Sequence, residues 1–334
     1  MRPGGIPTTR GGRCAVPLRE SFWAVAENES SDHLSISVVI PSVGRGVLAD
    51  IVRRSLEQDA LEVIVVADAN PDDVSAGLAP WLSSGDARVR MVAGPGRGVA
   101  LARQTGVDAA HGDIVLFLDD DVVPEPGLLD GHLRVHVAGP NRVAVGYFPV
   151  APELVATSVA ASLYASDYES ECRELDADPS RVLLQLWAGN YSLRSADCIR
   201  VPQADSSFLN SLLEDEEFGF RCQVGGLVGV FDRSLAARHH YERSVPKFLV
   251  SARAQALASR RLHDMYPTLA QVIDGRPDLP KLAQLVVRAS RLPGVGRPLR
   301  AAIVGAASKL GTGAPNRLNV RAAVLARVVV QVAD

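Results

Sequence analysis

The chain offers little from which to build a metal finger or a disulfide framework. Its four cysteines, Cys14, Cys172, Cys198 and Cys222, form no C-x-x-C pair in 334 residues, so they read as free thiols of a reducing compartment. The N-terminal stretch through Arg13 lacks the continuous apolar segment of a secretory signal. Nowhere does an uncharged apolar run reach the roughly 20 residues that a membrane-spanning helix needs, and no repeat of solenoid length recurs. These absences point to a cytoplasmic globular protein, membrane-associated only through peripheral contact. At 47% hydrophobic and 22% charged residues the balance is ordinary, and the length allows one large domain or two smaller ones. The net charge of -3 conceals an asymmetry: from Arg243 onward fifteen Lys and Arg face four Asp and Glu. An acidic front followed by a basic tail suggests that the tail meets something anionic or neutralises its own domain.

What is present centres on residues 113 to 125, where the apolar run Ile114 to Leu118 delivers three carboxylates in a row, Asp119, Asp120 and Asp121. The run is too short for an isolated helix and has no polar alternation, so it reads as a strand buried on both faces. The carboxylates then lie at its carboxyl end, the edge where open α/β sheets bind ligands. Three adjacent carboxylates repel unless a cation, donors or protonation offsets them. Mg²⁺ or Mn²⁺ bridging to a phosphate suits such hard oxygen ligands; the plainer alternative is a solvated acidic turn.

Upstream, strands are expected at Ile36 to Ile40, Val63 to Val66 and Val89 to Val92, with helices over Val47 to Leu56 and Val99 to Ala110. This alternation predicts a parallel sheet with helices on both faces. The turn Gly94-x-Gly96-x-Gly98 is not a dinucleotide fingerprint, because the third glycine of that motif would fall at Val99 and the motif belongs on the first strand. It reads instead as a loop whose amides approach an anion. Downstream come a helix over Leu128 to Val137, a strand over Val143 to Val150, and Gly189-Asn190. The acidic cluster Glu214 to Glu217 opens a helix, where the helix dipole favours carboxylates. A strand over Leu227 to Phe231 precedes the pair His239-His240, and one long helix covers Lys247 to Tyr266. Residues 1–34 form an extension, 35–244 the main domain and 245–334 a basic helical region.

Taken in order, Val38-Val39-Ile40-Pro41 with Arg45, the Asp68 turn, Arg103, Leu118 to Asp121, Gly189-Asn190, Glu214-Asp215 with Gly219 and Arg221, and His239 resemble a family 2 glycosyltransferase of the GT-A fold. The resemblance spans about Ser35 to Ser244. It implies an α/β, Rossmann-like, mostly parallel sheet with a C-terminal helical appendage, and transfer of sugar from a UDP- or GDP-sugar to an acceptor hydroxyl. Pro41, Val43 and Arg45 would lie at the nucleotide, and Asp68 would accept a hydrogen bond from the base. Arg103 would approach the diphosphate or the sugar, and Asp119 would hold hydroxyls. Asp120 is left open between that role and the metal. Gly189 and Asn190 would flank the transferred sugar. Asp121 and His239 would hold Mg²⁺ or Mn²⁺, with His240 the alternative to His239. Asp215 would be the general base of an inverting reaction, with Glu214 beside it.

Two positions depart from the family pattern. Val43-Gly44 replaces a bulky residue followed by Asn, and Ala67-Asp68 replaces Asp-Asp; both touch the wall that would read the base. Nucleic acid is not an expected partner, while a homodimer is compatible with the basic tail. Two rival readings are a nucleotidyltransferase, which would release pyrophosphate, and a non-catalytic protein that binds nucleotide sugars.

Overall fold

The computed structural model describes residues 34–204, 213–266 and 281–331, so the expected extension over 1–34 lies almost wholly outside it. The first half alternates as its hydrophobic pattern dictates. Strands β1 (Ile36–Ser42), β2 (Glu62–Ala67), β3 (Val89–Ala93) and β4 (Ile114–Leu118) are separated by helices α1 (Leu48–Leu56), α2 (Pro71–Ser84) and α3 (Val99–Ala109). β1 pairs in parallel with both β2 and β4, and β2 with β3. Every residue of β1, β2 and β4 is buried, as unalternating apolar runs covered on both faces require. Their side chains divide between two cores. Val38, Ile40, Val63, Val65, Leu116 and Leu118 pack on one face, and Val39, Ile64, Val66, Val115 and Phe117 on the other.

Beyond β4 the sheet stops being parallel. A short strand β5 (Val122–Pro124) leads to helix α4 (Leu128–Val137), strand β6 (Arg142–Tyr147) and helices α5 (Pro152–Thr157) and α6 (Val159–Ala177). Strand β7 (Asn190–Arg194) then runs antiparallel to both β4 and β6. After helix α7 (Ser195–Arg200), helix α8 (Glu214–Val224) leads to strand β8 (Val228–His239), which is parallel to β6 and antiparallel to β5. The eight strands run β3-β2-β1-β4-β7-β6-β8-β5.

Two expectations are corrected here. β6 ends at Tyr147, and Val150 makes only an isolated bridge to His239. β8 is far longer than Leu227 to Phe231, because a bulge between Asp232 and Ala236 absorbs the polar segment and lets pairing resume as far as His239. Within the bulge, Asp232 accepts the Ser234 amide. The loop before β7 lies tight on α8, where a Cβ at Gly219 would run into the Leu183 carbonyl.

Four helices close the described chain: α9 (Val245–Met265), α10 (Lys281–Ser290), α11 (Gly296–Leu310) and α12 (Arg317–Gln331). Val245, Phe248, Leu249, Ala307, Ala323 and Ala326 share a third core with Val159, Ala160 and Leu163 of α6. No helix among the described residues is long and apolar enough to cross a membrane.

Candidate active site

The site forms where β4 ends, and two arginines share its three carboxylates. Asp120 is buried and accepts the Val43 amide and the Ser42 hydroxyl, both at 2.9 Å. Arg45, on the loop after β1, pairs with Asp120 at 2.8 Å and with Asp121. Asp119 pairs with Arg103 at 3.0 Å, and its amide donates to the Gly189 carbonyl. The guanidinium of Arg45, 40% exposed, therefore offsets part of the crowding that the sequence predicts.

Arg103 is the interior hub. Its side chain is only 5% exposed, yet it reaches Asp119, Asp215 of α8 at 2.7 Å and the Ala188 carbonyl at 3.2 Å, and it lies over the Tyr191 ring. Flanking carboxylates keep the cation charged despite its burial, and its pKa stands well above the ordinary value. The other oxygen of Asp215 accepts the Ala188 amide. Arg103 thus joins the end of β4 to the start of α8, one side chain bridging Asp119 and Asp215, which are 96 positions apart in the sequence.

The β5–β8 pairing supplies the next component. It sets His239 opposite Val122, which places the imidazole Nε2 3.5 Å from Asp121. His239 is buried against Phe148, Tyr164 and Tyr241, and its Nδ1 has no hydrogen-bond partner. Burial opposes ionisation of Asp121, but His239, Arg45 and Arg243 outweigh it and hold the carboxyl below its ordinary pKa. His240 takes a different place. Its amide donates to the Asp121 carbonyl, and its side chain lines a cavity of about 260 Å³ with Arg45, Gly46, Val47, Asp121, Glu242 and Arg243.

Among the described residues no group of three or more His, Cys, Asp and Glu converges on a metal position. Asp121 and His239 nevertheless fit a six-coordinate divalent ion that draws its other ligands from substrate phosphate and water.

The glycine turn has a definite internal task. Asp68 accepts the amides of Gly96 at 2.8 Å and Gly98 at 3.2 Å, and both glycines have positive φ, 66° and 104°. Val43 is exposed, so it and Asp68 stand at the β1 and β2 strand ends, whereas Pro41 is buried within β1. Asn190 is not presented to the crevice. Its side chain is fully buried, with Oδ1 bonded to His132 at 3.0 Å and Nδ2 donating to the Leu235 carbonyl. Gly189 is buried as well, and its carbonyl serves Asp119.

Glu214 packs beside Asp215 with one carboxylate oxygen buried and without a hydrogen-bond partner among the described residues. Burial first, and then the charge of Asp215, push its pKa up to about 7. Glu242 and Arg243 were not legible as site residues; the only signal is their position just after His239-His240. The three described cysteines are buried and unpaired, and burial pushes the Cys172 thiol up to about 11, which suits core residues rather than nucleophiles.

Residues 37–181 match the family described as Glycosyl transferase family 2. Validoxylamine A glucosyltransferases of two Streptomyces hygroscopicus subspecies, jinggangensis and limoneus, are each 28% identical over 220 residues, covering 58% of this chain and 52% and 48% of their own. The chain spans about half the length of these curated relatives. A mannosyltransferase of Pyrobaculum calidifontis, solved with GDP-Man and Mn²⁺, shares the fold with a TM-score of 0.56 at 16% identity, over 92% of this chain and 90% of that one.

Proposed function

We propose that this chain, whose residues 37–181 match glycosyl transferase family 2 and which has the GT-A fold, moves a sugar from a nucleoside-diphosphate sugar to an acceptor hydroxyl with inversion. The observation that carries this reading is the meeting of Asp119, Asp121, Arg45, Asp215 and His239 at one sheet edge, although they come from four separate segments.

The departing diphosphate develops negative charge that fixed cations and dipoles can stabilise. Arg45 and Arg243 line the cavity beside Asp121 and are placed for that task. Asp121 and His239 would hold Mn²⁺ or Mg²⁺, which when bound supplies electrostatic stabilisation of the leaving phosphates. Val43 and Asp68 stand where the nucleoside would lie, and the donor class favoured is a UDP- or GDP-sugar. Asp215 takes the proton from the acceptor hydroxyl. Arg103 orients Asp215, and is a positioning residue rather than a phosphate ligand because its guanidinium is committed internally. Asn190 acts in the same indirect way, through the seating of β7.

Incubation with a panel of nucleotide sugars, followed by assay of free nucleoside diphosphate, tests the reading. Release of nucleoside diphosphate with an acceptor present, abolished by chelation and restored by Mn²⁺, is the expected result. Release of pyrophosphate would make the protein a nucleotidyltransferase. The metal assignment has its own readout. A nucleoside diphosphate should raise the melting temperature more with Mn²⁺ than with chelator, and Asp121→Asn should erase the difference. An equal shift without metal in the unaltered protein would refute it.

A further inference from the structure

The last three described helices carry charge of one sign only. Between Lys281 and Gln331 there are nine Lys and Arg and not one Asp or Glu. Some of these cations are used internally: Arg327 pairs with Asp167 of α6, and Arg300 donates to the Ser290 carbonyl. Arg288, Arg297, Lys309, Arg317 and Arg321 are all exposed. Large apolar side chains are interleaved with them. Leu285, Leu292 and Val295 are 60%, 55% and 53% exposed, and Leu318, next to Arg317, is 66% exposed. Leu285, Arg288, Leu292 and Val295 follow one another at intervals of three or four residues, while Val287 and Ser290 between them are buried. One edge of α10 and of the turn after it thus faces outward with leucine and arginine alternating, and its inner edge packs on the molecule.

Each candidate occupant makes a different demand on this face. A second copy docked by a two-fold axis would set like against like, and a face without carboxylates would repel itself. A nucleic acid would answer the arginines but leave the leucines in water. An anionic lipid surface answers both, with basic groups at the headgroups and leucines at the acyl boundary. We propose that the face built from α10, the turn through Val295 and the exposed start of α11 seats this protein on an anionic membrane surface. The inference does not depend on the sugar-transfer reading.

The test is co-sedimentation of the full chain with phosphatidylcholine vesicles, with and without phosphatidylserine. Binding is expected only with phosphatidylserine, and it should weaken as salt rises. Each basic group near such a surface contributes roughly fivefold to partitioning, so Arg288→Gln with Arg297→Gln should lower binding about 25-fold. Leu285→Ser with Leu292→Ser should also lower it. All four side chains are exposed, so melting temperature and nucleoside diphosphate release should stay at the unaltered values. The proposal is overturned if phosphatidylserine vesicles are not bound, if both double variants bind as the unaltered chain does, or if a single-stranded polyanion is bound as tightly and the leucine variant makes no difference. Salt-dependent dimerisation through this face would also overturn it.

Discussion

Glu214 shows how a neighbour changes what one side chain can do. Its carboxyl is packed beside Asp215 with an oxygen that has no hydrogen-bond partner among the described residues, and its pKa is raised to about 7. In the unfolded chain the same group titrates near 4.3. The folded state therefore binds this proton more tightly, and stability falls as pH rises from the unfolded value through about 7. Glu214→Gln mimics the protonated form. It should leave the melting temperature nearly unchanged at pH 4, below the unfolded value, and raise it at pH 8; an equal shift at both values would contradict the assignment. Aspartates as a residue type were legible in the sequence, but their partners were not. Nothing in the spacing of Arg103 reveals that it turns inward to two carboxylates and a carbonyl, because that depends on α3 and α8 packing on the same face of the sheet.

At the level of elements, β7 is held by a chain of hydrogen bonds whose direction can be deduced. Asn190 Nδ2 donates to the Leu235 carbonyl, so its Oδ1 must accept, and His132 Nε2 carries the proton between them. His132 is neutral, since burial drives its pKa down to about 3. Its Nδ1 therefore accepts from the Ser192 hydroxyl at 2.8 Å, and that hydroxyl in turn accepts from His136 Nε2 at 2.8 Å. The chain ends at His136 Nδ1, which is buried without a partner. His132→Phe orphans two buried groups, Asn190 Oδ1 and the Ser192 hydroxyl, at about 1–3 kcal/mol each. His136→Phe removes only one donor to Ser192 and also deletes an unpartnered nitrogen. Urea unfolding should show His132→Phe costing roughly twice as much; equal losses would contradict the deduced direction.

The strands β1 to β4 were readable because apolar runs without alternation have few other uses. β5 was not, since Val122 to Pro124 is three residues long and ends in proline. Yet the β5–β8 register is what carries His239 to Asp121. The separation of His239 from His240 needed that register too, because β8 ends at His239 and His240 already belongs to the segment beyond it.

Across the whole molecule, the two halves of the sheet divide the chemistry. The parallel half carries Arg45 and the three aspartates, and α8, reached through the mixed half, carries Asp215, the base proposed above. Arg103 bridges them by contacting both Asp119 and Asp215. A carboxylate that acts as base must reach the acceptor hydroxyl but need not touch the nucleotide. The measurement that bears most directly on the account is therefore the turnover of Asp215→Asn beside its affinity for nucleoside diphosphate and Mn²⁺. Affinity close to that of the unaltered protein, with turnover lowered roughly 10² to 10⁴-fold, is the predicted result. Sugar transfer at the unaltered rate would contradict both the base assignment and the inverting mechanism built on it.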